Sequence, residues 1–317
     1  MHAAVLRYLD HVARYGSIRK AADALNIASS AVNRQILRLE AEVGTALFER
    51  QRSGVRPTAA GEILLRHVRE TQTEYQRARA EIAGLTGVVS GEVRIISLES
   101  LLVRFLPDVV QEMRAKYPAV TFTVLNVDPS QIGEALRSGQ NDFGVLFVDF
   151  PDRRHHGFET VTELRTAVGA LMRPDHPLAR RRQLTLTECA DYPVVMLHDR
   201  WLLDAIMTTE FAESGARLAP HIVSNSIEFM RQVIKSGAGI GFFTPIGFIE
   251  EIRRHELVHV PLAEPGLADS RIGILVPRSK RLSPAARLMI DHIRERLNDF
   301  AKELSAPLAP KRRRGRQ

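Results

Sequence analysis

At 317 residues, 44% of them hydrophobic, the chain exceeds one ordinary domain and can give two or more compact units a core each. Its single cysteine, Cys189, excludes an intrachain disulfide, a cysteine-based zinc site and a two-cysteine redox switch; a small, partly buried side chain is expected there. The formal charge of +7 invites a nucleic-acid partner, but Lys311, Arg312, Arg313, Arg314 and Arg316 supply five of those units, and without them 39 basic residues face 37 acidic ones, so pattern has to carry the argument.

The opening residues alternate apolar and charged side chains, and no later apolar run approaches the roughly 20 residues that a bilayer demands, so a cytoplasmic protein without membrane attachment is expected. Ala3, Leu6, Leu9 and Val12 recur at helical spacing before Gly16, and Ser17 is placed to cap a second helix whose inner face is Ala21, Ala22 and Leu25. A third helix is predicted from near Ala28, with Val32, Ile36, Leu39 and Val43 inward and Gly44 ending it. Its outer face then carries Ser29, Ser30, Asn33, Arg34, Leu37 and Arg38. Short hydroxyl and amide side chains can approach base edges from a helix in the major groove, while guanidinium groups bind phosphates or guanine.

Leu47 and Phe48 follow as a hydrophobic anchor, and Arg50, Arg52 and Arg56 then surround Ser53 and Gly54, the composition of a basic hairpin wing. Thr58 stands where the next helix needs its N-cap. The stretch AADALNIASSAVNRQILRLEAEVGTALFERQRSGVRPTAAGE at 21 to 62 resembles the DNA-binding module of the LysR-type transcriptional regulators. That resemblance implies operator contacts from Ser29, Ser30, Asn33 and Arg34, and places Arg50, Arg52 and Pro57 in or beside the wing. Glutamine is frequent in the family where Ser29 stands, and serine where Asn33 stands, which implies a different half-site.

From Ala59 to Leu85 no proline interrupts, and a heptad places Gly61, Val68, Tyr75 and Ile82 at one position and Leu64, Thr71, Ala78 and Leu85 at the other. Such a stripe suits a partner helix; the alternative is packing on its own domain. In the family the corresponding helix forms a dimer, so a homo-oligomer, as a dimer or a dimer of dimers (a homotetramer), is expected to meet an interrupted palindromic operator on double-stranded DNA. RNA polymerase is a further partner if the protein activates.

After a linker, GLTGVVSG at 84 to 91, strands and helices alternate: EVRIISL, a helix LLVRFLPDVVQEMRAKYP, TFTVLNV, a helix SQIGEALRSG, then DFGVLFV. VGALMRP, YPVVMLH and GIGFFTP continue the series, and RIGILVP with a helix at 283 to 304 is expected to return to the first sheet. This argues for largely parallel sheets covered by helices. The order resembles the effector-binding region of the same family, two α/β subdomains joined by crossing strands, as in periplasmic binding proteins. The expected architecture is therefore α/β, with a helix-rich winged helix-turn-helix at 1–58, a linker helix and hinge at 59–90 and an effector region at 91–310. Subdomain I comprises 91–165 and 268–304, subdomain II comprises 166–267, and 305–317 form a basic tail. Ile96 stands where glycine is common and is expected to narrow the cleft.

Ligands of open α/β sheets lie beyond the carboxyl ends of the strands, which nominates Ser97, Ser100, Phe147, His198, Ser224, Asn225, Phe243 and Thr244 as effector contacts. The family uses the position matching Ser100. A small-molecule effector is expected, with a carboxylate among the candidates because free amides at a helix start near Ser100 favour an anion. Glu99 opposes that reading if it points inward. The adjacent His155 and His156 read as a loop pair, and GAGIG at 237 to 241 reads as a turn, since it lacks dinucleotide-fingerprint spacing. No nucleophile elbow, phosphate loop or zinc-hydrolase string occurs, so no catalytic residue, metal or cofactor is expected. The rivals to an effector-modulated DNA-binding regulator are a constitutive repressor with a vestigial cleft and a solute-binding α/β protein.

Overall fold

The computed structural model describes residues 3–51, 54–85, 87–148, 157–198 and 220–305. The chain divides into two compact units, the first built from residues 1–82 with 137–140 and the second from the remainder.

In the first unit, α1 (Ala3–Tyr15), α2 (Ile18–Leu25) and α3 (Ser29–Val43) precede a hairpin of β1 (Phe48–Gln51) and β2 (Gly54–Pro57), and α4 (Ala59–Gly84) follows. Each boundary has a local cause. The Ser17 hydroxyl accepts from the Lys20 amide at the start of α2, Asn26 turns the chain with φ 54°, and Gly44 ends α3 with φ 79°. The Thr58 hydroxyl accepts from the Gly61 amide at 3.0 Å and donates to the Ala46 carbonyl at 2.7 Å, capping α4 and tying it to the hairpin. Leu9, Val12, Ala21, Ala22, Val32, Ile36, Leu39 and Leu47 form the core, joined by Leu65 and Val68 from α4. Burial of each large aliphatic side chain is worth about 2 kcal/mol, so the first turns of α4 belong to this core. Val43, expected inside, is 46% exposed because α3 outruns the helices it packs against.

Gly61 is demanded by this packing, since a Cβ there would lie 2.0 Å from the Leu47 carbonyl oxygen. The heptad stripe therefore splits. Gly61 and Val68 pack inside their own unit, whereas Tyr75 (63% exposed), Ile82 (65%) and Leu85 (86%) are left uncovered.

The second unit holds two five-stranded sheets. Its strands are β3 (Gly91–Ser97), β4 (Val120–Asn126), β5 (Phe143–Phe147), β6 (Phe158–Thr166), β7 (Gly169–Met172), β8 (Val194–Leu197), β9 (Pro220–Ser224), β10 (Ile240–Phe243), β11 (Val258–Pro261) and β12 (Ser270–Pro277). One sheet has the order β4-β3-β5-β12-β6, the other β11-β7-β10-β8-β9. Neither is as parallel as expected: β4-β3-β5 and β10-β8-β9 are parallel trios, while β12, β6, β7 and β11 join by antiparallel pairings. The reason is the crossing. β6 leaves the first sheet at Thr166, and β12 returns from the second at Ser270 beside it, paired from Ser270 with Thr166 to Pro277 with Phe158.

Alternation along β3 sets the layers. Val93 and Ile95 face a core of Val109, Met113, Phe143, Ile290, Ile293 and Leu297, built with the helices Phe105–Lys116 and Pro284–Ser305. Ile96 faces the opposite side among Leu98, Ile132, Leu136 and Leu146. The expectation that Ile96 narrows the cleft is thereby corrected: it is wholly buried in that second cluster. The single helix expected over 101–118 is two, Glu99–Leu102 and Phe105–Lys116. Cys189 is buried, and burial first, with Glu264 and Glu188 adding to it, pushes its thiol up to about 12, so it stays protonated and unreactive. Among the described residues, no helix is long and apolar enough to cross a membrane.

Candidate functional site

The outer face of α3 is complementary to its core face. Val32, Ile36 and Leu39 are buried, which turns Ser29, Ser30, Arg34, Leu37 and Arg38 outward and leaves Asn33 half-buried between the two faces. The side chains of Arg34, Arg38, Arg50 and Arg56 form no ion pair or hydrogen bond among the described residues. The other arginines of the unit are mixed: Arg69 pairs with Asp10 at 2.9 Å and Arg77 with Glu74, whereas Arg19, Arg66 and Arg79 are also unpaired among the described residues. Unpaired guanidinium groups beside an exposed helix face supply donors for phosphate oxygens.

The hairpin is fixed to α3 at one end and to the turn between α1 and α2 at the other. Glu40, near the end of α3, accepts from the Leu47 amide at 2.7 Å and the Phe48 amide at 3.1 Å through one carboxylate oxygen. At the far end the Val55 amide donates to the Gly16 carbonyl at 2.9 Å, and a Cβ on Gly54 would come within 2.2 Å of that same oxygen. Arg50 is exposed opposite Val55, and Pro57 is half-buried opposite Phe48. Arg52 lies outside the described residues.

A second site lies in the other unit, where strands of both sheets end around a cavity of about 290 Å³. Ser100, Phe147, His198, Asn225, Phe243 and Thr244 line it, as the strand-end argument expects. Ser97 and Ser224 do not. The Ser97 hydroxyl, 2% exposed, donates to the Val145 carbonyl at 2.8 Å and so stitches β3 to β5. Ser224 is used by the backbone: its hydroxyl accepts from the Ser226 amide at 3.1 Å and its carbonyl from the His198 amide at 2.7 Å. Both serines sit one position too early, where the chain is still a paired strand.

Ser100 belongs to a four-residue helical turn, too short to present a useful dipole. The Ile227–Ser236 helix is the longer one at the cavity, and its first amide is already taken, since the Glu99 carboxylate accepts from the Ile227 N–H at 2.9 Å. Behind Ser100, Gly247 approaches so closely that a Cβ would meet the Ser100 carbonyl oxygen at 3.1 Å. The Arg231 guanidinium, 7% exposed, donates to the Gly247 carbonyl at 2.8 Å and to Glu228 and Glu251, and lies on the Phe248 ring, which makes this turn a rigid floor.

Residues 4–62 match the family model of the bacterial regulatory helix-turn-helix proteins of the lysR family, and residues 86–298 match that of the LysR substrate binding domain. The chain is a LysR-type transcriptional regulator. It is 28% identical to a probable nitrogen assimilation transcriptional activator of Synechococcus elongatus, over 87% of this chain and 89% of that one. Identity to the HTH-type transcriptional regulator AlsR of Bacillus subtilis is 30%, over 76% and 79%. Among solved structures, a full-length OxyR variant from Pseudomonas aeruginosa superposes with a TM-score of 0.69 at 18% identity, covering 94% of this chain and 95% of that one. Full-length CbnR complexed with its target DNA gives 0.61 at 19%, covering 93% and 100%. These two share the fold.

In this LysR-type regulator the cavity also draws on residues that the strand-end argument passes over: Asn126 at the end of β4 and Asp128 beyond it, Val168 where the crossing strand enters the second sheet, and Phe242. Asn126 and Asp128 were legible, because TFTVLNV is a strand whose carboxyl end has the same claim as the others. Val168 was not, since it opens the VGALMRP strand and so stands at an amino end instead of a carboxyl end. His155 and His156 lie outside the described residues, and GAGIG is the turn expected, with Gly237 at φ 81° leading into β10.

Proposed function

We propose that Ser29, Ser30, Asn33, Arg34 and Arg38 on α3 read the operator, that Arg50, Arg52 and Pro57 belong to a wing holding its backbone, and that Ser100, Phe147, His198, Asn225, Phe243 and Thr244 receive the effector. The division is 1–58 for DNA, 59–90 for oligomerisation and hinge, and 91–310 for effector, acting in the cytoplasm. One observation carries the DNA reading: Ser29, Ser30, Arg34 and Arg38 are exposed on the outer side of α3, with Arg50 and Arg56 of the hairpin unpaired among the described residues, while the inner side of α3 is packed solid. Uncovered Tyr75 and Ile82 on α4, with Leu85 just past its end, support a partner helix, so that a dimer or tetramer spaces two reading heads over an interrupted palindrome. The effector biases the angle between the two sheets and through the oligomer the spacing of the heads, with RNA polymerase as partner if the outcome is activation.

A gel shift with the full chain on DNA from upstream of its own coding sequence tests the first step. A specific complex is expected whose affinity falls with salt, and Arg38→Ala should lower the salt slope by about 1. Absence of a specific band, or binding indifferent to salt, removes the assignment of α3. Footprints that stay unchanged across ligands that bind the cleft remove the switch.

A further inference from the structure

The lining of the cleft is charged on one sign only. Glu99 and Asp128 both line the cavity, and among its described lining residues there is no lysine or arginine. The amide at the start of the Ile227–Ser236 helix, where an anionic head group gains most from a helix dipole, is occupied by the chain's own Glu99. An incoming carboxylate would have to displace that side chain or settle beside half-buried Glu99 and exposed Asp128, whose carboxylate also accepts from the Ser130 amide and hydroxyl.

Thr244 gives an independent indication that a polar ligand belongs here. It lines the cavity, is 4% exposed, and its hydroxyl has no hydrogen-bond partner among the described residues. A buried hydroxyl without a partner costs free energy unless something else completes it. The rest of the lining is mixed: Ser100, Asn126, His198 and Asn225 are polar, while half-buried Phe147 and the nearly buried Phe242 and Phe243 are aromatic, and ring surface attracts cations as well as hydrocarbon.

Resting on the reading of this cleft as the effector site, we propose that it takes a small organic amine in its ammonium form, carried on an apolar or aromatic body, and rejects the matching carboxylate. The ammonium group pairs with Glu99 and Asp128, a polar atom of the ligand meets the Thr244 hydroxyl, and the body lies against the phenylalanines.

Calorimetry on the DNA-free full chain with 2-phenylethylamine, 2-phenylethanol and 3-phenylpropionate tests this. The amine should bind at least about tenfold more tightly than the carboxylate, with the alcohol between them. Glu99→Gln keeps an oxygen able to accept from the Ile227 amide, so the fold has no reason to fail, and it should erase most of the preference; Thr244→Val should weaken the polar probes. A carboxylate that binds as well as the amine, a preference that survives Glu99→Gln and Asp128→Asn together, or no heat from the amine up to its solubility overturns the proposal. Because DNA is absent, the two readings fail separately. An amine that binds without altering DNA affinity leaves this inference standing and removes the switch, whereas a carboxylate that binds and shifts DNA affinity does the reverse.

Discussion

His259 supplies a test of how the second sheet is held at the edge of the cleft. Its ring lies over Gly169, and Nε2 is 3.0 Å from the carbonyl of Phe243, a cavity residue. A carbonyl can only accept, so the neutral ring carries its proton on Nε2. Burial lowers the imidazole from its ordinary value of 6.5 to about 4, although the backbone bonds with Phe243 and Ala167 favour the charged form. A histidine depressed in the folded state binds fewer protons than the unfolded chain between these two values, so stability is intact above pH 6.5 and is lost as pH falls towards 4. At about 1.4 kcal/mol per tenfold in proton concentration, acidification to pH 5 removes about 2 kcal/mol from this group and to pH 4 about 3 kcal/mol. Urea unfolding followed by circular dichroism across that range, on the wild type and on His259→Gln, isolates the contribution: glutamine keeps a donor for Phe243 but does not titrate, so the difference between the proteins should shrink with acid. A variant that retains the full wild-type slope, or an NMR titration that puts His259 near 6.5, refutes the reasoning.

Other perturbations follow from the same contacts. Gly169→Ala would put a Cβ 2.4 Å from His259 Nε2 and 2.6 Å from the Val260 carbonyl oxygen, and since backbone cannot yield cheaply, a thermal melt should show a loss of about 1 to 3 kcal/mol. Glu40→Ala leaves the Leu47 and Phe48 amides without their acceptor; a loss of about 2 kcal/mol is expected, with DNA affinity falling as the hairpin loosens, and anisotropy on operator DNA should show Glu40→Gln losing less. Asn33→Ala should cost about 1 to 3 kcal/mol on specific DNA and leave random DNA unaffected. Equal losses on both would take Asn33 out of the reading set.

The N-terminal unit was almost wholly legible, because its information is local. Ser17, Asn26, Gly44 and Thr58 act on amides and carbonyls a few residues away or on the backbone's own freedom, and the three-four spacing of Val32, Ile36 and Leu39 fixes which face of α3 turns inward. Val43 escaped because burial depends on how far the neighbouring helices extend. In the second unit, β6, β9 and β11 were missed. They pair at sheet margins or along the crossing, and their residues, among them Glu159, Glu163, Arg165 and His221, lack the continuous apolar run that marks a central strand.

The amino-acid sequence alone determined the family, the order of elements and the outward face of the reading helix, since each follows from short-range periodicity, capping and a specific motif. Only the tertiary structure decided that Ser97 and Ser224 serve the backbone, that Ile96 is buried away from the cleft and that Glu99 occupies the first amide of a helix 128 positions further on. Such contacts join distant segments through the crossing strands, and a side chain's destination there depends on which strand end lies opposite, which no local pattern encodes.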